Sequence, residues 1–383
     1  MRDFTLHNPT RVLFGKGQIG NLGTEVPADA RVVLVAGRGS IRDNGVLEQV
    51  KAALGSRLVG EVWDVEPNPD VASVLRGLEE VRSRNASFLL AAGGGSVVDA
   101  TKAIAALARS DGDPWPTLTR GRFKDALPLG VVMTSPGTGS EANASAAISN
   151  RATKQKVVFT NAVCFPRFAV LDPETTFSLP PRQVSNWIVD AFVHVLEQYL
   201  TYPVGAALGD RLAEAVLSTL LEQGPLGIAS PNDYLVRANL SWAASLALNG
   251  LLGAGVPQDW TTHHIGHELT ALYGIDHART LAVVLPAVLE HRRVQKTEKL
   301  LQYGARVFGI VDGSNEERVE RAIARTVEFF EALGVPTRLG AYALGSEEVP
   351  QIVANLKASR RLRMGERLDI TLDDAAKILT RAL

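Results

Sequence analysis

Over the first 180 residues, short apolar runs rich in β-branched side chains alternate with longer amphipathic stretches. The runs are Arg11-Val-Leu-Phe14, Arg31-Val-Val-Leu-Val35, Phe88-Leu-Leu90, Val131-Val-Met133 and Phe168-Ala-Val-Leu-Asp172. Stretches 44–54 and 71–84 lie between them and repeat their apolar positions at helical spacing. Strand-length runs alternating with helices predict a parallel sheet joined by crossover helices. Past Pro180-Pro181 the pattern becomes almost wholly helical, with helices expected near 182–200, 207–223, 231–250, 258–273 and 315–333. Ser314-Asn-Glu-Glu317 reads as a capping box opening the last of these. Pro203, Pro225, Pro231, Pro257 and Pro336 are read as breaks between helices. The expectation is therefore two domains: a Rossmann-like α/β domain over 1–180 and an all-α domain over 181–383.

The length supports that division, because 383 residues exceed what one core usually serves. At 46% hydrophobic and 21% charged, the composition is that of an ordinary globular protein. A net charge of −1 without any basic run gives no case for nucleic acid. No apolar run reaches membrane-spanning length, and Met1-Arg-Asp-Phe-Thr-Leu-His7 has no signal-like apolar segment. Cys164 is the single cysteine, which rules out an internal disulfide framework and suits a reducing compartment; cytoplasm is the expected location.

Two glycine-rich loops change the picture. Ser87-Phe-Leu-Leu-Ala-Ala-Gly93-Gly94-Gly95-Ser96 runs from a strand-like segment into an Ala-rich helical pattern. Glycines let a backbone approach a phosphate closely, and a helix N-terminus supplies N–H groups and positive dipole. The pattern is neither the Gly-x-Gly-x-x-Gly fingerprint nor a P-loop. A second loop, Thr134-Ser-Pro-Gly137-Thr138-Gly139-Ser140, follows another strand-like run. Two such loops suggest one crevice at strand ends, where open α/β sheets bind ligands.

The helical half carries a different chemistry. Asp190 and His194 stand four residues apart, as do His263 and His267, and His277 follows a Gly-containing turn. Residues at that spacing project from one helix face. Four of the seven histidines, His263, His264, His267 and His277, fall within fifteen residues. One carboxylate with imidazoles suits one divalent first-row metal, Fe2+ or Zn2+. The metalloprotease pattern is excluded, since Ala271 occupies the place of its second histidine. Glycine loops in one half and metal residues in the other predict an active site in the cleft between the domains.

These motifs, together with Asn8-Pro-Thr-Arg-Val-Leu-Phe-Gly-Lys-Gly17, Pro67-Asn-Pro69, Leu179-Pro-Pro-Arg-Gln183 and Gly255-Val-Pro-Gln-Asp-Trp260, resemble the iron-containing (group III) alcohol dehydrogenases. The resemblance covers essentially the whole chain and is nearest to the branch of bacterial NADPH-dependent butanol dehydrogenases and broad-specificity aldehyde reductases. It implies a dehydroquinate synthase-like architecture and Asp190, His194, His263 and His277 as metal ligands. It further implies His267 as a histidine close to the metal that assists proton movement. Gly94, Gly95 and Ser96 match the pyrophosphate turn, Asp99 a residue lining the cofactor cleft, Thr138 the second cofactor loop, and Lys156 a cofactor-contacting lysine. Two departures are His264, where an apolar residue is expected, and Arg38, where a glycine is usual.

Cofactor choice can be read from the residues. NAD-binding folds place an acid after the second strand to hold the ribose 2′-OH. Here Gly37-Arg38-Gly39-Ser40 follows, with no carboxylate before Asp43, and Arg38 offers charge-assisted hydrogen bonds to a 2′-phosphate. NADP(H) is therefore the expected cofactor. A divalent metal would polarise an aldehyde carbonyl while the nicotinamide supplies hydride. The apolar residues near the expected ligands, Trp187, Phe192, Val193, Leu251, Leu252 and Trp260, suit a small hydrophobic aldehyde or alcohol. A dehydroquinate synthase-like or polyol dehydrogenase activity is the alternative, and a phosphorylated substrate would call for a Lys and Arg cluster. A homodimer is expected on symmetry grounds.

Overall fold

The computed structural model describes residues 1–383. Eight strands form: β1 (Arg11–Phe14), β2 (Val32–Ala36), β3 (Leu58–Val62), β4 (Phe88–Gly94), β5 (Leu129–Ser135), β6 (Ser145–Asn150), β7 (Gln155–Thr160) and β8 (Phe168–Leu171). Six of them make one parallel sheet in the order β1-β8-β5-β4-β2-β3, and β6 and β7 pair as an antiparallel hairpin. From β2 the chain runs outward to β3, then returns to β4 on the other side of β2. The strand order reverses there, and the carboxyl ends of β2 and β4 flank the switch point where such sheets bind ligands.

Three longer helices cover the sheet: α1 (Val46–Leu54), α2 (Val71–Ser83) and α3 (Gly95–Leu107). Val74, Leu78, Val98 and Ile104 of α2 and α3 pack with Val33, Leu89 and Val131. Val46, Val50 and Leu54 of α1 pack with Leu34, Leu90 and Val132, which point the other way. Both faces are buried, so the central strands read as continuous apolar runs. β3 went unread because Gly60 and Glu61 interrupt its run at the sheet edge, and the hairpin because Ser145-Ala-Ala carries little β-propensity.

The remaining long helices are α4 (Pro181–Tyr199), α5 (Ala207–Ala229), α6 (Tyr234–Ala247), α7 (Thr261–Tyr273), α8 (His277–His291), α9 (Thr297–Val307), α10 (Asn315–Ala332), α11 (Val349–Ala358) and α12 (Leu372–Arg381). The capping box at Ser314 and Glu317 forms as expected. Pro225 does not separate helices; it lies inside α5 at an exposed position, where water can satisfy the carbonyl it orphans. α8 likewise runs through Pro286, and α8, α9, α11 and α12 were not distinguished in the sequence.

Packing divides the chain into two compact units. Residues 7–180 group with 231–245, whereas 1–6 group with 181–230 and 246–383. The 231–245 segment joins the sheet unit because Trp242 packs edge-on against Phe14, ring centroids 5.9 Å apart. No helix is long and apolar enough to cross a membrane.

Candidate metal centre and nucleotide-binding turn

The helical unit brings three of the four expected ligands, Asp190, His263 and His277, into one cluster, with His194 beside Asp190. Asp190 and His194 lie on one face of α4, His263 in the first turn of α7, and His277 at the start of α8. One ligand atom from each of Asp190, His263 and His277 falls within 4.8 Å of the others. His194 Nε2 lies 3.7 Å from Asp190 Oδ1 and His277 Nε2 lies 3.9 Å from it. These gaps are too long for hydrogen bonds. They suit two atoms that each reach ~2.0–2.2 Å toward a shared cation. The decisive atom is Asp190 Oδ1, buried and without a hydrogen-bond partner. Such an oxygen costs ~1–3 kcal/mol or more when left unsatisfied, and a cation would satisfy it. The His194 and His263 rings stack at 4.8 Å, and His277 stands 5.3 Å from His263. Asp190, His263 and His277 fit a metal with one oxygen and two nitrogen donors, and His194 stands next to them.

His267, one turn after His263, is buried beside the ligands, its ring 5.0 Å from that of His277. His264 lies outside the cluster of Asp190, His263 and His277, and burial, with Arg361 and His263 nearby, pushes its pKa down to about 3. Of the apolar residues expected near the ligands, Trp260 stands there, 5.0 Å from the His263 ring. Phe192 does not, because it turns into the helical core against Phe329 and Phe330.

One acidic residue escaped the sequence reading. Glu197 is buried on the stripe of Asp190 and His194, three residues further along α4. Its Oε1 accepts from the Thr262 amide at 2.7 Å, and its Oε2 takes a short contact from His263 Nδ1. Burial and the neighbouring Asp259 push its carboxyl up to about 8, against the hydrogen bonds that favour the anion. Its spacing to His194 was the available signal. Behind it Lys296 is buried against both Asp259 (2.7 Å) and Glu366 (3.0 Å).

In the sheet unit, β4 ends at Gly94 and α3 begins at Gly95. Gly94 supplies no side-chain cap, so the first N–H groups of α3 are available to an anion. A Cβ on Gly95 would lie 2.3 Å from Thr138 Oγ1, so only glycine lets the second loop approach this turn. The loop after β2 needs glycine at position 39, where φ is 118°. Arg38 and Ser40 are exposed on it, and Arg42, not singled out in the sequence, stacks over Trp63 at 3.9 Å.

The other expected cofactor residues hold the loops in place. Asp99 accepts from Ser140 Oγ (2.6 Å) and the Ala147 amide (3.0 Å), and burial raises its carboxyl pKa. Lys156 Nζ donates to Asn68 Oδ1 at 2.9 Å, and the Asn68 amide donates to Ser96 Oγ. The missed residue is Lys102, fully buried and lowered to about 8 by that burial. It donates to Ser140 Oγ, Asn143 Oδ1 and the Ser145 carbonyl.

Comparison with known proteins is consistent over the whole chain. Residues 9–173 match the family model described as iron-containing alcohol dehydrogenase, and 187–383 match the C-terminal model of the Fe-containing alcohol dehydrogenase family. The NADPH-dependent aldehyde reductase YqhD of Escherichia coli is 51% identical, with all of both chains covered. Probable NADH-dependent butanol dehydrogenase 1 of Bacillus subtilis is 37% identical, again over all of both chains. Among solved structures, NADH-dependent butanol dehydrogenase A of Thermotoga maritima superposes with a TM-score of 0.95 at 33% identity, covering 100% of this chain and 99% of that one.

Proposed function

Because the chain belongs to the iron-containing alcohol dehydrogenase family, we propose that it reduces small apolar aldehydes with NADPH, reversibly, at a centre held by Asp190, His194, His263 and His277. The observation that carries this is the buried, unpartnered Asp190 Oδ1 facing imidazole nitrogens across gaps of 3.7 and 3.9 Å. When bound there, Fe2+ or Zn2+ would polarise the carbonyl, and NADPH would supply the hydride.

The chain's own residues do the rest. Asp190 supplies the single anionic donor, and the three imidazoles ligate in their neutral form. His267, buried beside His277, gives its ring N–H proton toward the substrate oxygen and recovers one from water. Trp260 places an indole next to His263, an apolar wall that favours a hydrocarbon substituent over a charged one. Gly94, Gly95 and Ser96 offer backbone N–H groups to the pyrophosphate, with Thr138 packed against the turn. Gly37 and Gly39 shape the loop after β2, and Arg38 and Ser40 on it meet the 2′-phosphate. The NADPH dependence in the name of the 51% identical relative supports that choice.

The assembly is taken as a two-fold homodimer on symmetry grounds, and the buried, lone Cys164 suits the cytoplasm. The test is NADPH oxidation on adding butanal, with metal content measured on the same samples. Turnover should require added Fe2+ or Zn2+. His263→Ala and His277→Ala should lose both metal and turnover, while His264→Ala keeps its metal. Full activity in metal-free protein would overturn the assignment.

A further inference from the structure

One face of α4 reaches beyond the two ligands it carries. Asp190, His194 and Glu197 follow one another at spacings of four and three, so they form a single stripe. Glu197 performs two tasks with one buried carboxylate. Its Oε1 accepts from the Thr262 amide and its Oε2 makes a longer, 3.4 Å contact with the His263 amide. These are first-turn amides of α7, and Trp260 at the N-cap provides no side-chain bond to them. The same Oε2 contacts His263 Nδ1. In its ionised form Glu197 accepts at both oxygens, and Nδ1 then carries the proton. The lone pair is then left on Nε2, the nitrogen on the other side of the ring.

Resting on the metal reading above, we propose that Glu197 is the positioning residue of the metal centre, fixing at once the tautomer of His263 and the place of the helix that carries it. The two tasks explain why an acid is needed. A glutamine of the same shape has one acceptor oxygen and one donor amide group. If its oxygen keeps the Thr262 amide, its NH2 faces Nδ1. His263 must then accept there and carry its proton on Nε2, which blocks ligation. If the amide flips, the α7 cap is lost instead. Alanine removes both at once.

The experiment uses the full chain stripped of metal. Wild type, Glu197→Gln, Glu197→Ala and Asp190→Asn are titrated with Co2+ against a competing chelator, reading visible absorbance. Melting of each metal-free protein is recorded in parallel. Imidazole 15N shifts of metal-free protein report the His263 tautomer. Glu197→Gln should bind Co2+ about 10–100-fold more weakly, the range for outer partners of a ligand. It should melt with the wild type and show His263 protonated on Nε2. Glu197→Ala should lose affinity and melting temperature together. Wild-type affinity together with a wild-type melting temperature in Glu197→Gln would overturn the proposal, as would weaker binding accompanied by an equal loss of melting temperature. If wild type binds no Co2+, and Asp190→Asn matches it, the metal reading itself falls and this inference with it.

Discussion

Arg182 and Asp276 meet through two hydrogen bonds on one oxygen: Nε and Nη2 of the arginine donate to Asp276 Oδ2 at 3.0 and 2.8 Å. Asn186 Nδ2 donates to the same oxygen at 3.0 Å, and Asn186 Oδ1 accepts from Arg279 Nε. Asp276 immediately precedes His277, so the first turns of α4 hold the residue that introduces this proposed ligand. Arg182 is 61% exposed and Asp276 30%, which limits what the ion pair alone can contribute, ~0–1 kcal/mol. Arg182→Ala should therefore leave metal affinity nearly unchanged. Asp276→Ala strips three donors of their acceptor and should weaken metal binding by about tenfold, the low end for outer partners. Chelator competition measures both, and equal effects would show the arginine to be the main tether.

Cofactor preference should follow Arg38. NADPH should be used with higher kcat/KM than NADH, and Arg38→Ala should raise KM for NADPH far more than for NADH. A charge-assisted hydrogen bond of ~1.5–3 kcal/mol corresponds to roughly ten- to a hundredfold. Arg42 keeps its stack on Trp63 in that variant. An unchanged preference would move the 2′-phosphate contact away from Arg38.

The proton step separates His267 from the ligands. His267→Ala should keep its metal and bind NADPH as wild type does, while kcat falls by roughly 10²-fold, the low end for a positioned acid–base group. Asp190→Asn gives the contrast, since losing the only anionic donor should release the metal. If His267→Ala loses metal as readily as His263→Ala, the histidine supports the ligands rather than moving protons.

Two carboxylates share one buried ammonium at Lys296, and this has a pH signature. Burial first, then the hydrogen bond and charge of Asp259, raise Glu366 to about 7 from an ordinary 4.5, while Lys296 holds Asp259 well below its usual range against the cost of burial. The folded protein thus keeps on Glu366 a proton that the unfolded chain releases near pH 4.5. The stabilisation is fully present below that pH and is lost as pH rises through about 7, with a slope of at most ~1.4 kcal/mol per pH unit. Glu366→Gln should flatten the dependence of melting temperature on pH between 4.5 and 7. An unchanged profile would place the proton elsewhere.

Much of this was legible in the sequence, for definite reasons. Central strands of a parallel sheet are buried on both faces, so β2, β4, β5 and β8 announced themselves as unbroken apolar runs. Candidate metal ligands four residues apart on a helix are local in sequence, so Asp190 with His194, and the His263 to His277 stretch, stood out by spacing alone. β3 and the β6–β7 hairpin did not, because Gly60 and Glu61 interrupt the run of β3 and Ser145-Ala-Ala gives β6 little β-propensity. Pro225 and Pro286 were misleading or silent because packing and solvent decide whether a helix survives a proline. The residues found only in three dimensions share one property: their partners are far away in sequence. Glu197 acts on Thr262 and His263, Lys102 on Ser140 through Ser145, and Asp276 on Arg182. Periodicity reports which face of an element is buried, and spacing reports which side chains share that face. The identity of the group that meets a buried charge depends on how the elements pack, and that was decided by the tertiary structure.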